Sequence, residues 1–170
     1  MPHSEWVLLS YRLPREPSTP RIALWRRLRR LGVAQVSDGL VALPRDARTS
    51  EQLEWAAEHV TEHGGTAGLW AARPWSAEEE GVLVRDMTAQ RAAEYREVAS
   101  SAAEAGRLPT ADRRRTLVGL RRTFQEITRR DYFPPAERDV AASALQELEV
   151  RVSAAQDADA VAALATGGTP

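Results

Sequence analysis

Apolar positions along this chain change rhythm several times, and each change marks an element. Over Trp6–Tyr11 both alternating sets, Trp6/Leu8/Ser10 and Val7/Leu9/Tyr11, are largely apolar. That suits a central strand covered on both faces. Pro14 and Pro17 end it. Ser18 or Thr19 is placed to cap a helix with Pro20 in its first turn. Ile22, Trp25, Leu28 and Leu31 follow at three-residue steps and predict its inner face, and Gly32 is its stop. Val33–Val36 and Leu40–Leu43 are short strands joined by the turn Ser37-Asp38-Gly39. Thr49 with Gln52 predicts a capping box, and a helix running to His63 carries Leu53, Ala56, Ala57 and Val60 inward. Gly64-Gly65 ends that helix, and Thr66–Ala72 is a fourth strand.

The order is βαββαβ, which predicts an α+β, ferredoxin-like core at residues 1–75. An open α/β sheet is the alternative. The tight turn at Ser37-Asp38-Gly39 disfavours it, because a parallel neighbour needs a crossover. From Ser76 the rhythm is helical. Ser76 with Glu79 forms a second capping box, and Val84, Met87, Arg91, Tyr95, Val98 and Ala102 mark a stripe interrupted only by Arg91. A second helix follows Pro109-Thr110 with Leu117, Leu120, Phe124 and Ile127, and Pro134-Pro135 breaks it. A third carries Val140, Leu145, Leu148 and Val152. The expectation is a packet of about three helices over residues 76–155, then a frayed or disordered tail at 156–170.

Composition removes several functions. The chain has no Cys, which excludes disulfides, thiolate metal sites and thiol catalysis. No apolar run reaches the ~18 residues of a membrane span, and MPHSEW is unlike a signal peptide, so a cytoplasmic protein is expected. His59 and His63 lie four apart on one helix, but HVTEH lacks the Glu that zinc proteases place directly after the first His, and a solvated helix face is expected there. Gly64-Gly65 precedes a strand, whereas a phosphate cradle opens a helix. No G-x-S-x-G elbow is present. No enzyme, no metal and no cofactor are expected. Among the five Trp, Trp6, Trp25 and Trp70 are expected in the core, while Trp55 and Trp75 lie near element edges, where one of them suits an interface anchor.

The net charge of −1 conceals segregation. Residues 107–131 hold 8 Arg against 3 acids, between segments richer in acid. All 23 basic residues are Arg, whose planar fork grips phosphate and other oxyanions bidentately. Two clusters result. Arg26, Arg27, Arg29 and Arg30 form one; Arg113, Arg114, Arg115, Arg121 and Arg122, with Arg129 and Arg130, form the other. The candidate DNA- or anion-binding residues are Arg26, Arg27, Arg30, Arg114, Arg121 and Arg122. The bland alternative is that these arginines face solvent or pair with acids of neighbouring helices. No helix-turn-helix is recognisable, so base-specific readout is not predicted.

The run WVLLSYRLPREPSTPRIALWRRLRRLGVAQVSDGLVALP resembles the N-terminal domain of ChrB, the chromate-resistance regulator family. The resemblance rests on a strand ending at a Pro, a short polar loop, the helix end Trp25–Gly32 and the strand end Leu43-Pro44. GLWAARPW and LRRTFQEITRRDYF extend it over residues 5–150. It implies a ferredoxin-like core related to the middle domain of phenylacetate-pathway repressors and to the small CRISPR-adaptation nuclease. It also implies a role in regulating chromate resistance through DNA. Longer family members continue into a C-terminal domain whose sensing does not carry over to these residues. The nuclease relatives end their first strand with a metal-binding Asp; here Tyr11-Arg12 stands there, so cleavage is not expected. The reading is a non-enzymatic, regulator-like chromate-resistance protein that binds DNA or an oxyanion such as chromate through its Arg-rich helices, and a homodimer is expected. A protein-interaction module without DNA binding is the rival.

Overall fold

β1 (Trp6–Arg12) lies inside the sheet, with β3 (Leu40–Pro44) on one side and β4 (Thr66–Ala72) on the other, both antiparallel. β2 (Ala34–Ser37) pairs with β3 across a bulge between Gln35 and Ser37. The sheet order β2-β3-β1-β4, with α1 (Thr19–Leu31) and α2 (Ala47–Glu62) in the two connections, is the ferredoxin-like arrangement. The antiparallel β2–β3 hairpin removes the open α/β alternative. The structure, a computed structural model, describes residues 5–166.

Side-chain alternation gives the sheet two faces. Val7 and Leu9, opposite Leu43 and Val41, share one face. Leu24 and Leu28 of α1 and Leu53, Ala56 and Val60 of α2 join them in one buried cluster. Trp6, Leu8 and Ala42 share the other face, and Trp6 Nε1 donates to Oε1 of the buried Glu80 at 3.1 Å. Phe133 stands 6.1 Å from the Trp6 ring, and Tyr132 donates its hydroxyl to the Leu31 carbonyl at 3.2 Å. The hairpin turn depends on Gly39, at φ 72°, whose carbonyl accepts from the Tyr11 amide at 2.7 Å.

Three long helices follow: α3 (Ala77–Ala105), α4 (Thr110–Thr128) and α5 (Glu137–Thr166). The expected Ser76–Glu79 box opens α3, with both reciprocal bonds at 3.2 Å. The chain divides into two compact units: residues 1–89 with 130–133, and residues 90–129 with 134–170. In the second unit Tyr95, Val98, Ala102, Leu117, Ile127, Leu145 and Leu148 share a core. Arg91, also buried, pairs through Nε with Glu94 Oε2 at 3.0 Å, one turn away. α5 runs to Thr166, past Gln156 where the tail is expected to begin; residues 167–170 of that tail, and His3, lie outside the described residues.

Four expectations are corrected. The buried face of α1 is Leu24 and Leu28 with Leu31 beside them; Ile22 and Trp25 are exposed. A step of four and then three keeps one face of a 3.6-residue helix inward, whereas repeated steps of three drift around it. Trp70 lies on terminal strand β4, beyond which no further strand pairs among the described residues, and is exposed. Its Nε1 donates to Ser10 Oγ at 2.9 Å. Ala141, not Val140, occupies the core position of α5. Finally, Asp46 caps α2. Its carboxylate accepts from the Thr49 amide at 2.7 Å, while Thr49 Oγ1 accepts from the Asp46 amide at 2.9 Å. Thr49 is thus the inner member of the box, and Gln52 takes no part in it.

Candidate nucleic-acid interface

α1 turns Leu24 and Leu28 inward, so the arginines between them must project outward. At 100° per residue, Arg26 and Arg30 share the ridge opposite the core, with Arg29 to one side and Arg27 to the other. Gly32 closes the helix in the left-handed region at φ 71°, its amide donating to the carbonyl of Arg29. Arg29 and Arg30 thus occupy the last turn, where cations complement the helix dipole.

Two tryptophans flank this ridge. The Arg29 guanidinium lies 4.9 Å from the centre of the Trp25 ring, and that of Arg27 lies 5.8 Å from the Trp55 ring of α2. The rings are 54% and 50% exposed. Each half-wet ring attracts a cation through its negative face and restricts where that cation sits. The guanidinium edges stay free for acceptors. Among the described residues, none of Arg26, Arg27, Arg29 and Arg30 has a carboxylate partner within ion-pair distance.

The second cluster behaves differently. On α4, Arg121 pairs with Glu149 of α5, Arg122 with Glu126 at 3.1 Å, and Arg115 with Asp112. Arg113 spends its nitrogens on the carbonyls of Leu108, at 2.9 Å, and Arg151, at 3.3 Å. Arg114 is exposed and carries no ion pair among the described residues. Arg26 and Arg30 therefore share the outer ridge of α1 with Arg27 beside them against Trp55, none with a carboxylate partner among the described residues. Arg121 and Arg122 are committed to acids of their own unit.

Sequence reasoning placed Trp25 in the core and offered Trp55 as one of two interface anchors, without linking either to these arginines. The signal was present for Trp25, four residues before Arg29, but the Trp55–Arg27 contact needs α1 and α2 side by side. The two helices also meet where His59 Nε2 lies 3.3 Å from the Pro20 carbonyl. His63 Nδ1 lies 2.7 Å from the carbonyl of His59, and the two rings stand 4.3 Å apart. No group of three or more metal-ligating side chains occurs among the described residues. No helix among them is long and apolar enough to cross a membrane.

A family profile described as Protein ChrB, N-terminal, matches residues 21–106. That stretch begins two residues inside α1 and ends just beyond α3, so it contains the first arginine cluster and excludes the second. No curated protein matches the chain. Among solved structures, the chain is similar to the uncharacterized protein Rv0674 from Mycobacterium tuberculosis, at 14% identity and a TM-score of 0.50. The similarity covers 91% of this chain and 64% of that one, so the chain spans less than two thirds of that relative's length. At this identity the likeness concerns the fold alone.

Proposed function

The chain belongs to the ChrB N-terminal family, and on that premise we propose a non-enzymatic, chromate-resistance-related regulator that holds the phosphate backbone of DNA against the outer face of α1. One observation carries this reading: among the described residues Arg26, Arg27, Arg29 and Arg30 of α1 have no acidic partner, whereas Arg115, Arg121 and Arg122 of α4 are paired with acids. An unpaired guanidinium gains most from a phosphate, because nothing must be broken first. The family match supports the same choice, since it includes these arginines of α1 and leaves out α4. Backbone contacts of this kind position a protein without reading bases. The same Arg26–Arg30 pair, one turn apart, suits a free tetrahedral dianion such as chromate. We place that second, as a competitor for the DNA surface. A cytoplasmic homodimer completes the proposal, since a two-fold pair of α1 faces would engage one duplex twice.

The test is fluorescence anisotropy with a labelled duplex over a salt series. Wild-type affinity falls linearly on a log–log plot, and Arg26→Ala with Arg30→Ala lowers the slope by about 0.9 for each phosphate no longer neutralised. No binding even at low salt defeats the DNA reading and leaves the interaction module. Chromate that fails to displace DNA at concentrations where sulfate also fails removes the oxyanion part alone.

A further inference from the structure

Trp75 follows β4 and is 97% exposed, so its whole indole stands in water. Next to it, the Trp6 face of the sheet and the first turns of α3 leave a cavity of about 360 Å³. The walls are apolar: Trp6, Leu8, Val36, Ala42, Val82 and Leu83. Pro74, the neighbour of Trp75, also lines it. The volume exceeds the roughly 300 Å³ at which pockets begin to enclose small organic groups. Two opposite charges, Arg73 and Glu79, stand at the same cavity. All these residues belong to the first compact unit.

A two-fold contact uses one patch on both copies, so that residue i meets j and j meets i. This patch holds a projecting aromatic, a cavity for it, and one charge of each sign. We propose that a second copy of this chain occupies the cavity: each Trp75 enters the other's pocket, and each Arg73 faces the partner's Glu79. A small ligand would fill the hole and leave Trp75 in water, whereas a second copy covers both. Glu79 uses Oε2 for the α3 cap, which leaves Oε1 for the arginine. Arg73 donates through Nη2 to Glu5 at 3.3 Å and keeps its remaining N–H groups for the contact. This deepens the homodimer part of the proposed function and does not depend on DNA.

Sedimentation equilibrium of the full chain from about 1 to about 100 μM tests it, the range set by ordinary dimer affinities. Wild type reaches twice the 18.8 kDa chain mass. Trp75→Ala, at a site too exposed to affect folding, raises the dimer dissociation constant about 30-fold or more, as loss of a central aromatic anchor does. Arg73→Glu weakens the dimer, and Arg73→Glu with Glu79→Arg restores it, with circular dichroism checking that α3 is intact. A wild-type monomer at the highest concentration overturns the proposal. So does a dimer that Trp75→Ala leaves unchanged, or one that the charge swap fails to restore. Indole binding to a chain that stays monomeric also overturns it, in favour of a small-molecule site. Arg26→Ala with Arg30→Ala leaves the mass unchanged, so this proposal and the DNA reading fail separately.

Discussion

Arg29 stacks its guanidinium 4.9 Å from the centre of the Trp25 ring, four residues earlier on α1. The pair lies on the exposed side of the helix, so Trp25 contributes to where the arginine points and little to the core. Trp25→Ala is therefore expected to change unfolding free energy by no more than about 1 kcal/mol, the range of an exposed cation–π contact. DNA affinity falls several-fold in the same variant, because an untethered Arg29 must be ordered on binding. Urea denaturation and anisotropy on one preparation separate the two effects; a large stability loss would mean that Trp25 is a core residue after all.

The ion pairs of α4 supply the contrasting case. Arg121 and Arg122 are bound to Glu149 and Glu126. Replacing both with Ala is expected to leave DNA affinity within about twofold. Stability falls by up to about 1 kcal/mol per pair, since exposed ion pairs contribute little. A collapse of DNA binding in this double variant would move the interface from α1 to α4.

Much of the sheet could be read from the chain, because its signals are local. The turn at Gly39, the strand Thr66–Ala72 and the Ser76–Glu79 box each depend on residues within reach of one another. The tryptophans were legible only in part. Trp6 is 1% exposed because β1 lies inside the sheet, with a covering on the Trp6 face. Trp70 sits opposite Leu8 on the neighbouring strand, yet that strand is terminal and leaves it in water. Strand order, which no local pattern encodes, decides between them. Which arginines pair with acids likewise depends on which acids fold against which helix. Glu149 lies 28 residues from Arg121 and is its partner only once α4 and α5 have packed.

Asp46 makes the start of α2 sensitive to acid. Burial acts to raise its pKa, but the amide and hydroxyl of Thr49, with Arg48 nearby, more than offset this and hold the carboxyl below its ordinary value of 3.8. A group with a depressed folded pKa stabilises the fold above its unfolded pKa and loses that contribution as pH falls through the folded one. Asp46→Asn keeps a capping oxygen and removes the charge. Thermal melts from about pH 7 down to about pH 2 should show wild type ahead at the upper end and the two proteins converging below the ordinary carboxylate range. A constant gap would show that the charge has no role. Asp46→Ala removes the cap itself and costs about 1 kcal/mol at neutral pH.

Trp6 and Glu80 form a buried hydrogen bond that spans 74 residues of sequence. Trp6→Phe keeps an aromatic ring and removes the donor, leaving the Glu80 carboxylate short of one partner. The expected cost is about 1–3 kcal/mol for the unsatisfied acceptor, plus a further penalty for the smaller ring. Glu80→Gln retains an oxygen for Trp6 Nε1 and should cost less. Urea midpoints that rank Glu80→Gln below Trp6→Phe in stability would reverse this account.

Gly39 is held in place by the backbone of β1 as well as by its own φ of 72°. A Cβ added there would stand 2.5 Å from the carbonyl oxygen of Tyr11, the same residue whose amide donates to the Gly39 carbonyl. Backbone cannot swing aside as a side chain can, so Gly39→Ala must open the turn or pull β1 from the hairpin. The expected loss is about 1–3 kcal/mol or more, combining left-handed strain with the clash. Gly64, at φ 74° with nothing within 4 Å of its added Cβ, carries the strain without the clash. Gly64→Ala should therefore cost about 1 kcal/mol, the lower end of that range. Equal losses at the two sites would show that conformation alone, and not the approach of Tyr11, makes Gly39 necessary.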